Sequence, residues 1–228
     1  MKIYVDGADL ESFRQLKEIA DGFTTNPTLM AKAGITNYIK FAKELLSFID
    51  KPVSFEVFSD DFNEMYDQAK KLHTLANNVY VKIPITNSKG DSSMDLIREL
   101  SSTGIKVNVT AVFTISQILE TYNALDQDTP SVISVFAGRI SDTLQDPMPT
   151  MIFAQRSVNK PRLCEVLWAS TREVYNIHQA ERAKCDIITV SPDLLKKYHK
   201  LKNYNLKQYS LDTVKMFKDD AEKAGFVI

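Results

Sequence analysis

Short apolar runs of strand length alternate with amphipathic helical patterns along the whole chain. Runs with a period of two, or with the continuous apolar character of buried strands, cover 2–6, 22–26, 53–58, 79–85, 106–112, 131–136, 162–169 and 186–190. Helical periodicity fills the intervals, most clearly over 10–20, 62–75, 92–100 and 116–125. Regular strand–helix alternation predicts an α/β protein built on a parallel sheet.

The number of repeats favours a closed barrel over an open sheet. Eight strand–helix units predict a single-domain (β/α)8 TIM barrel over residues 1–228, with 210–224 as an additional C-terminal helix. A doubly wound open sheet is the alternative. It requires a glycine-rich phosphate loop after the first strand, and the segment D-G-A-D at 6–9 has no G-x-G-x-x-G pattern.

Composition excludes several classes of function. The 28 Lys and Arg residues nearly balance the 29 Asp and Glu residues, which argues against nucleic-acid or membrane binding driven by bulk charge. No apolar stretch is long enough to cross a bilayer, and residues 1–6 show no secretory pattern. Cys164 and Cys185 stand outside any C-x-x-C motif, so we expect reduced thiols in a cytoplasmic protein.

One charged residue interrupts the apolar run at 79–85. Strand alternation places Val81 and Ile83 on one face and Lys82 on the other. A desolvated amine loses its proton readily and becomes a nucleophile, and such a lysine commonly forms a Schiff base with a carbonyl substrate. A lysine on a solvated edge strand is the alternative interpretation of this residue alone.

The same alternation predicts further polar side chains facing inward from the other strands. In a barrel these residues share one interior, and active sites lie at the carboxyl ends of the strands. Each unpaired buried polar group costs roughly 1–3 kcal/mol, so several together indicate an active site. The predicted inward set is Asp6, Asn26, Glu56, Lys82, Asn108, Thr110 and Ser134.

Around these residues the chain resembles the transaldolase family, in particular its small subgroup. The matching motifs are V-D-G-A-D at 5–9, T-T-N-P-T at 24–28, S-F-E-V at 54–57, V-K-I-P at 81–84, N-V-T at 108–110 and S-V-F-A-G-R at 134–139. They run in family order from the first strand to beyond the sixth. T-T-N-P together with V-K-I-P is a specific combination, whereas either motif alone is weak.

The resemblance implies a role for each residue. Lys82 forms the Schiff base, Asp6 takes the proton of the donor's C4 hydroxyl, and Glu56 and Thr110 shuttle protons through a bound water. No cofactor is implied. The implied substrate contacts are Asn26, Asn108 and Ser134 for the dihydroxyacetone unit, Arg139 and Arg172 for phosphate, and Phe136, Trp168 and Ser170 along the pocket.

Within the family, the resemblance favours a transferase. Fructose-6-phosphate aldolases carry Gln where Glu56 stands and Tyr where Phe136 stands. The expected reaction moves a dihydroxyacetone unit from sedoheptulose 7-phosphate or fructose 6-phosphate to glyceraldehyde 3-phosphate or erythrose 4-phosphate, in the non-oxidative pentose phosphate pathway. The expected assembly is a homo-oligomer, a ring-based pentamer or decamer.

The sequence leaves three alternatives open. One is an aldolase of the fructose-6-phosphate type, and another is a transaldolase for a non-phosphate donor such as a sulfonated ketose. The second arises because Gly7 replaces the usual Thr or Ser and Trp168 replaces a small residue. A non-catalytic sugar-phosphate-binding barrel is a third. A zinc aldolase needs clustered histidines, whereas the histidines here fall in separate predicted helices at His73, His178 and His199.

Overall fold

Eight parallel strands close into a barrel in a computed structural model that describes residues 1–158 and 163–228. Each strand pairs with the next along the chain, and β8 pairs with β1. The strands are β1 (Lys2–Asp6), β2 (Gly22–Thr24), β3 (Val53–Glu56), β4 (Val79–Pro84), β5 (Val107–Val112), β6 (Ser131–Val135), β7 (Cys164–Trp168) and β8 (Ile187–Val190). The predicted TIM barrel is therefore confirmed.

Helices surround the barrel and connect successive strands. Several begin at an Asp, Asn, Ser or Thr whose side chain accepts a hydrogen bond from the first turn, as at Asp9, Asn26 and Asp61. The helices are α1 (Leu10–Leu16), α2 (Pro27–Lys32), α3 (Tyr38–Leu46), α4 (Phe62–His73), α5 (Met94–Ser102), α6 (Ile115–Ala124), α7 (Ala137–Asp142), α8 (Met148–Ser157), α9 (Tyr175–Arg182), α10 (Pro192–Leu201) and α11 (Leu206–Ala224). None of them, within the described ranges, is long and apolar enough to span a membrane.

The core has two parts, one on each side of the barrel wall. The larger part lies between strands and helices and includes Phe13, Phe23 and Phe55. The smaller part fills the barrel interior with Tyr4, Val132, Leu167, Ala169 and Ile187. Two positions after an interior apolar residue, several strands carry a polar one: Asp6 follows Tyr4, and Ser134 follows Val132. An apolar layer is therefore followed by a polar layer towards the carboxyl ends of the strands.

The element boundaries differ from the sequence-based ones at a few places. Strand β2 ends at Thr24, because Asn26 caps α2 instead of extending the sheet. The predicted start of the seventh strand at Arg162 lies outside the described residues. The C-terminal helix begins at Leu206, earlier than the predicted 210, and none of its residues is buried.

Candidate active site

The Lys82 amine lies inside the barrel next to a carboxylate. Its Nζ is 2.9 Å from Oε2 of Glu56, and only 8% of the Lys82 side chain and 18% of the Glu56 side chain are exposed. Nζ also donates a hydrogen bond of 3.0 Å to the backbone oxygen of Thr25. The edge-strand interpretation of Lys82 is wrong, because β4 pairs with both β3 and β5.

A second carboxylate lies in the same interior. Thr24 donates a hydrogen bond of 2.8 Å to Oδ1 of Asp6. Burial raises the pKa of Asp6, the positive charge of Lys82 and the Thr24 hydrogen bond lower it, and the negative charge of Glu56 raises it again. The net result is a pKa above the ordinary aspartate value, so that Asp6 holds a proton more readily than an exposed aspartate does.

Side chains of three strands form a hydrogen-bonded row across the interior. Ser134 donates to Oδ1 of Asn108 over 2.7 Å, and Nδ2 of Asn108 donates to Oγ of Ser54 over 3.0 Å. All three residues are buried. Because both ends of the Asn108 amide are engaged, its orientation is fixed. Asn26 is fixed differently: its Oδ1 accepts the backbone N–H of Leu29 at the start of α2.

Thr110 is buried without a hydrogen-bond partner for its hydroxyl among the described residues. It precedes a β-bulge, where the register between β5 and β6 shifts and Ala111 adopts a left-handed φ of 58°. Such strain costs on the order of 1–3 kcal/mol and often occurs at functional sites. An unpartnered buried hydroxyl beside the bulge is suited to binding a water or a ligand group.

The two predicted phosphate-binding arginines lie at the rim of the barrel. Nε of Arg172 donates to both carboxylate oxygens of Asp142 over 3.1 Å, and Nη2 donates to Oδ2. This hydrogen bonding is the main reason why the pKa of Asp142 lies below the ordinary value. The guanidinium carbon of Arg139 is 5.1 Å from the centre of the Phe136 ring. Arg139, Arg172 and Asp142 are all exposed.

The chain matches the family model described as transaldolase/fructose-6-phosphate aldolase over residues 3–228. The chain belongs to this family. Proteins called "probable transaldolase" are similar to it along nearly their whole length. The Nitrosopumilus maritimus protein is 35% identical over 223 residues, which are 95% of this chain and 96% of that protein. For the Chelativorans protein the values are 35% over 221 residues, 94% and 97%.

Among solved structures, the thiamine phosphate pyrophosphorylase from Pyrococcus furiosus shares the fold of this transaldolase-family chain. The TM-score is 0.50 at 15% identity, and the match covers 83% of this chain and 85% of the other. A similarity at this identity concerns the barrel architecture alone.

Trp168 does not face the interior of this family member, contrary to the sequence-based expectation. It pairs with Val135 and Ile188 on the neighbouring strands, and all three side chains belong to the core between strands and helices. The inward residues of β7 are instead Leu167 and Ala169. The alternation ends at Ser170, which follows the strand with a left-handed φ of 65°.

Several residues near the site were not among those predicted for the family. Ser54 and Thr189 follow from strand alternation, since apolar residues flank each of them. Asp142 lies one helical turn after Arg139. No pattern in the sequence indicates Tyr38, which lies on α3. Its hydroxyl donates a hydrogen bond to the backbone oxygen of Glu56 and accepts one from the backbone N–H of Glu56, both over 2.8 Å.

Across 1–158 and 163–228, no group of three or more His, Cys, Asp or Glu side chains is arranged to hold a metal ion.

Proposed function

We propose that this protein is a transaldolase that transfers a dihydroxyacetone unit from a ketose phosphate to an aldose phosphate through a Schiff base on Lys82. The observation that carries the proposal is the buried Lys82 amine, 2.9 Å from Glu56, in one interior with Asp6. A binding module has no need of a buried amine beside a carboxylate, because desolvating these charges is costly.

Schiff-base formation needs proton transfers that Glu56 is positioned to perform. The neutral Lys82 amine attacks the keto carbon, and the carbonyl oxygen, once protonated, leaves as water. Glu56 takes the ammonium proton and returns a proton to the departing oxygen. The Thr110 hydroxyl, which has no hydrogen-bond partner among the described residues, is suited to hold the water through which these protons pass.

Carbon–carbon cleavage then needs a base for the donor's C4 hydroxyl. Asp6 takes this proton, the bond between C3 and C4 breaks, and its electrons move into the iminium to give an enamine on Lys82. The aldose product leaves, and the enamine attacks the aldehyde carbon of the acceptor by the reverse path. A raised pKa suits Asp6 to this role, because it must hold the proton and then return it.

The fixed polar side chains of the interior and the two arginines at the rim recognise the sugar phosphate. Asn108 and Ser134 offer a preorganised hydrogen-bonding row, and Asn26 is left with its amide N–H groups because its oxygen caps α2. Arg139 and Arg172 offer the phosphate contacts, with Ser170 between the barrel and Arg172. Arg172 has to share its guanidinium between Asp142 and the phosphate.

A fructose-6-phosphate aldolase is the second candidate, because the family includes both activities. Glu56 and Phe136 favour the transferase, as do relatives called probable transaldolase. The hypothesis of a sulfonated donor is based on Gly7 and Trp168. It is weakened because Trp168 faces away from the interior. Two rim arginines also fit a sulfonate, so the anion is decided by comparing donors.

The acceptor dependence tests the proposal. Turnover of fructose 6-phosphate is expected to be slow alone and fast when erythrose 4-phosphate is added, with sedoheptulose 7-phosphate as product. Equal release of dihydroxyacetone with and without the acceptor would establish the aldolase instead. A parallel assay with a sulfonated ketose compares the two anions at equal concentration.

We also propose that the protein is a homo-oligomer. Helix α11 has no buried residue, and it exposes a row of apolar side chains at Leu211, Val214 and Phe217. The spacing of three residues places them along one side of the helix. An exposed apolar row of this kind is typical of a surface that a second subunit covers.

A further inference from the structure

Thr189 of the last strand lies one hydroxyl away from the Asp6 carboxylate. It is buried, and its Oγ1 is 2.7 Å from Oγ1 of Thr24, the residue that donates to Oδ1 of Asp6 over 2.8 Å. The backbone oxygen of Thr189 accepts a hydrogen bond of 2.7 Å from the hydroxyl of Thr171 in the β7–α9 loop. Thr189 is thus held from the rim and contacts Asp6 only through Thr24.

The number of protons determines the direction of these hydrogen bonds. The Thr24 hydroxyl has a single proton, and an ionised carboxylate can only accept. While Asp6 is ionised, the Thr24 proton therefore points to Asp6. In the 2.7 Å contact the Thr189 hydroxyl is then the donor and Thr24 the acceptor. A donor behind Thr24 polarises its hydroxyl and strengthens the hydrogen bond to Asp6.

We propose that Thr189 is a positioning residue for the reaction: its hydroxyl keeps the Thr24 hydroxyl directed at Asp6 and so stabilises the ionised, proton-accepting carboxylate. The inference rests on the proposed function, in which Asp6 takes the substrate proton. Thr189 itself touches no reacting atom. Its effect passes through one hydrogen bond between neutral hydroxyls in a buried place, where solvent does not compete with it.

The charged groups that face Asp6 stay in place when Thr189 is changed. They are Lys82 on β4 and Glu56 on β3. Without the Thr189 hydroxyl, the Thr24 proton is no longer directed only at Asp6. The Thr24 hydrogen bond is one of the influences that lower the pKa of Asp6, so weakening it raises this pKa further. A base with a higher pKa becomes protonated, and therefore inactive, at a higher pH.

The experiment compares Thr189→Val, which replaces the hydroxyl by a methyl group, with Thr189→Ser, which keeps a hydroxyl. Thr121→Val is the matched control, because Thr121 is buried on α6 and its hydroxyl has no partner among the described residues. For Thr189→Val we expect kcat to fall about threefold to tenfold with little change in KM. The acid limb of kcat/KM should move up by about half a pH unit. Thr189→Ser and Thr121→Val should keep the wild-type profile.

A second readout is independent of turnover. In protein labelled with 13C at the aspartate carboxyl carbons, the Asp6 signal is assigned by its loss in Asp6→Asn and then titrated. Thr189→Val should raise the measured pKa of Asp6, whereas Thr121→Val should leave it unchanged. Circular dichroism and thermal melting show whether each variant is folded. Should Thr189→Val fail to fold, the comparison of Thr189→Ser with Thr189→Cys, whose thiol is a weak donor, replaces it with the same expected order.

The outcomes separate the two levels of the argument. An unchanged pH profile and an unchanged Asp6 titration in folded Thr189→Val would overturn the role of Thr189, as would a Thr189→Ser variant as impaired as Thr189→Val. Absence of transfer activity in the wild type would instead overturn the proposed function. The Asp6 titration would still decide whether Thr189 acts on the carboxylate.

Discussion

Three charged side chains in the barrel interior dominate the chemistry at the scale of single residues. Lys82 is paired with Glu56, while Asp6 is stabilised by the hydroxyl of Thr24 and more distantly by Lys82. The interior holds two carboxylates but one ammonium group, so the negative charges outnumber the positive one. The unfavourable free energy of burying the extra charge falls on Asp6, whose pKa is raised by burial. A folded protein retains such a group where function requires it.

We predict that Asp6→Asn abolishes transfer and raises the thermal stability at neutral pH. A carboxyl group with a raised pKa is penalised in the folded state wherever it is ionised, so removing its charge removes the penalty. The loss of folding free energy is complete above the pKa that Asp6 has in the folded state. It disappears once the pH falls below the pKa that Asp6 has in the unfolded chain. The gain in melting temperature should therefore shrink on acidification.

Asp9→Asn is the control for this prediction. The pKa of Asp9 is lowered, chiefly by the hydrogen bond of the Ser12 hydroxyl, so its charge is favourable in the folded state. Asparagine also caps helices well, and the variant should show no gain in stability. A melting temperature for Asp6→Asn at or below that of the wild type, measured near pH 7, would contradict the account of Asp6.

At the scale of secondary-structure elements, two turns at the rim interlock. Gly138, the second residue of α7, lies directly against the backbone of Ser170, and an added Cβ at this glycine would lie 1.6 Å from the Ser170 oxygen. Ser170 itself has a left-handed φ. Because Arg139 and Arg172 follow these two residues, the contact between the turns sets the separation of the two arginines.

Gly138→Ala is predicted to separate the two turns. The change should raise KM for phosphorylated substrates at least tenfold and lower the free energy of unfolding by about 1–3 kcal/mol. Gly7→Ala is a suitable comparison, because its added Cβ would meet side chains alone, the Phe13 ring at 3.1 Å and Pro192 at 4.0 Å, so its effect on KM should be smaller. Equal KM values for Gly138→Ala and the wild type would contradict the role of the interlocked turns.

The sequence predicts the elements better than it predicts their ends and exceptions. Strand alternation identifies Lys82, Glu56, Asn108 and Ser134, because apolar neighbours occupy the opposite face. The family resemblance fails for Trp168, which it places along the pocket, because this side chain packs between β7 and the helices. The bulge at Ala111 could not be predicted either, because its left-handed position is not occupied by a glycine.

Contacts that come from outside the strands are also invisible to a periodic pattern. Tyr38 reaches both backbone groups of Glu56 from a helix on the outside of the barrel. Asp142 pairs with Arg172 across 30 positions of sequence. Tertiary packing alone brings these residues together, so a single sequence without the fold cannot place them.

At the scale of the whole molecule, the barrel is complete without α11. All eight strands and the helices between them precede Leu206, and α11 adds no buried residue. The helix therefore stabilises the folded monomer little, and its apolar row is available to a neighbouring subunit.

We predict that the full chain is larger in solution than its 25.8 kDa protomer, and that Phe217→Ser or truncation after Asn203 lowers the assembly size while the barrel stays folded. Lys215→Ser, which changes a charged residue of the same helix, is the control. Light scattering coupled to size-exclusion chromatography gives the mass. A full chain with the mass of one protomer would contradict the proposed homo-oligomer.

The central claim concerns the covalent chemistry of Lys82, and reductive trapping tests it most directly. Borohydride added during turnover of fructose 6-phosphate reduces an iminium to a stable secondary amine. Peptide mass spectrometry should find this adduct on Lys82 in the wild type and in Lys106→Met, and none in Lys82→Met. An adduct on another residue, or none under conditions of active turnover, would contradict the account.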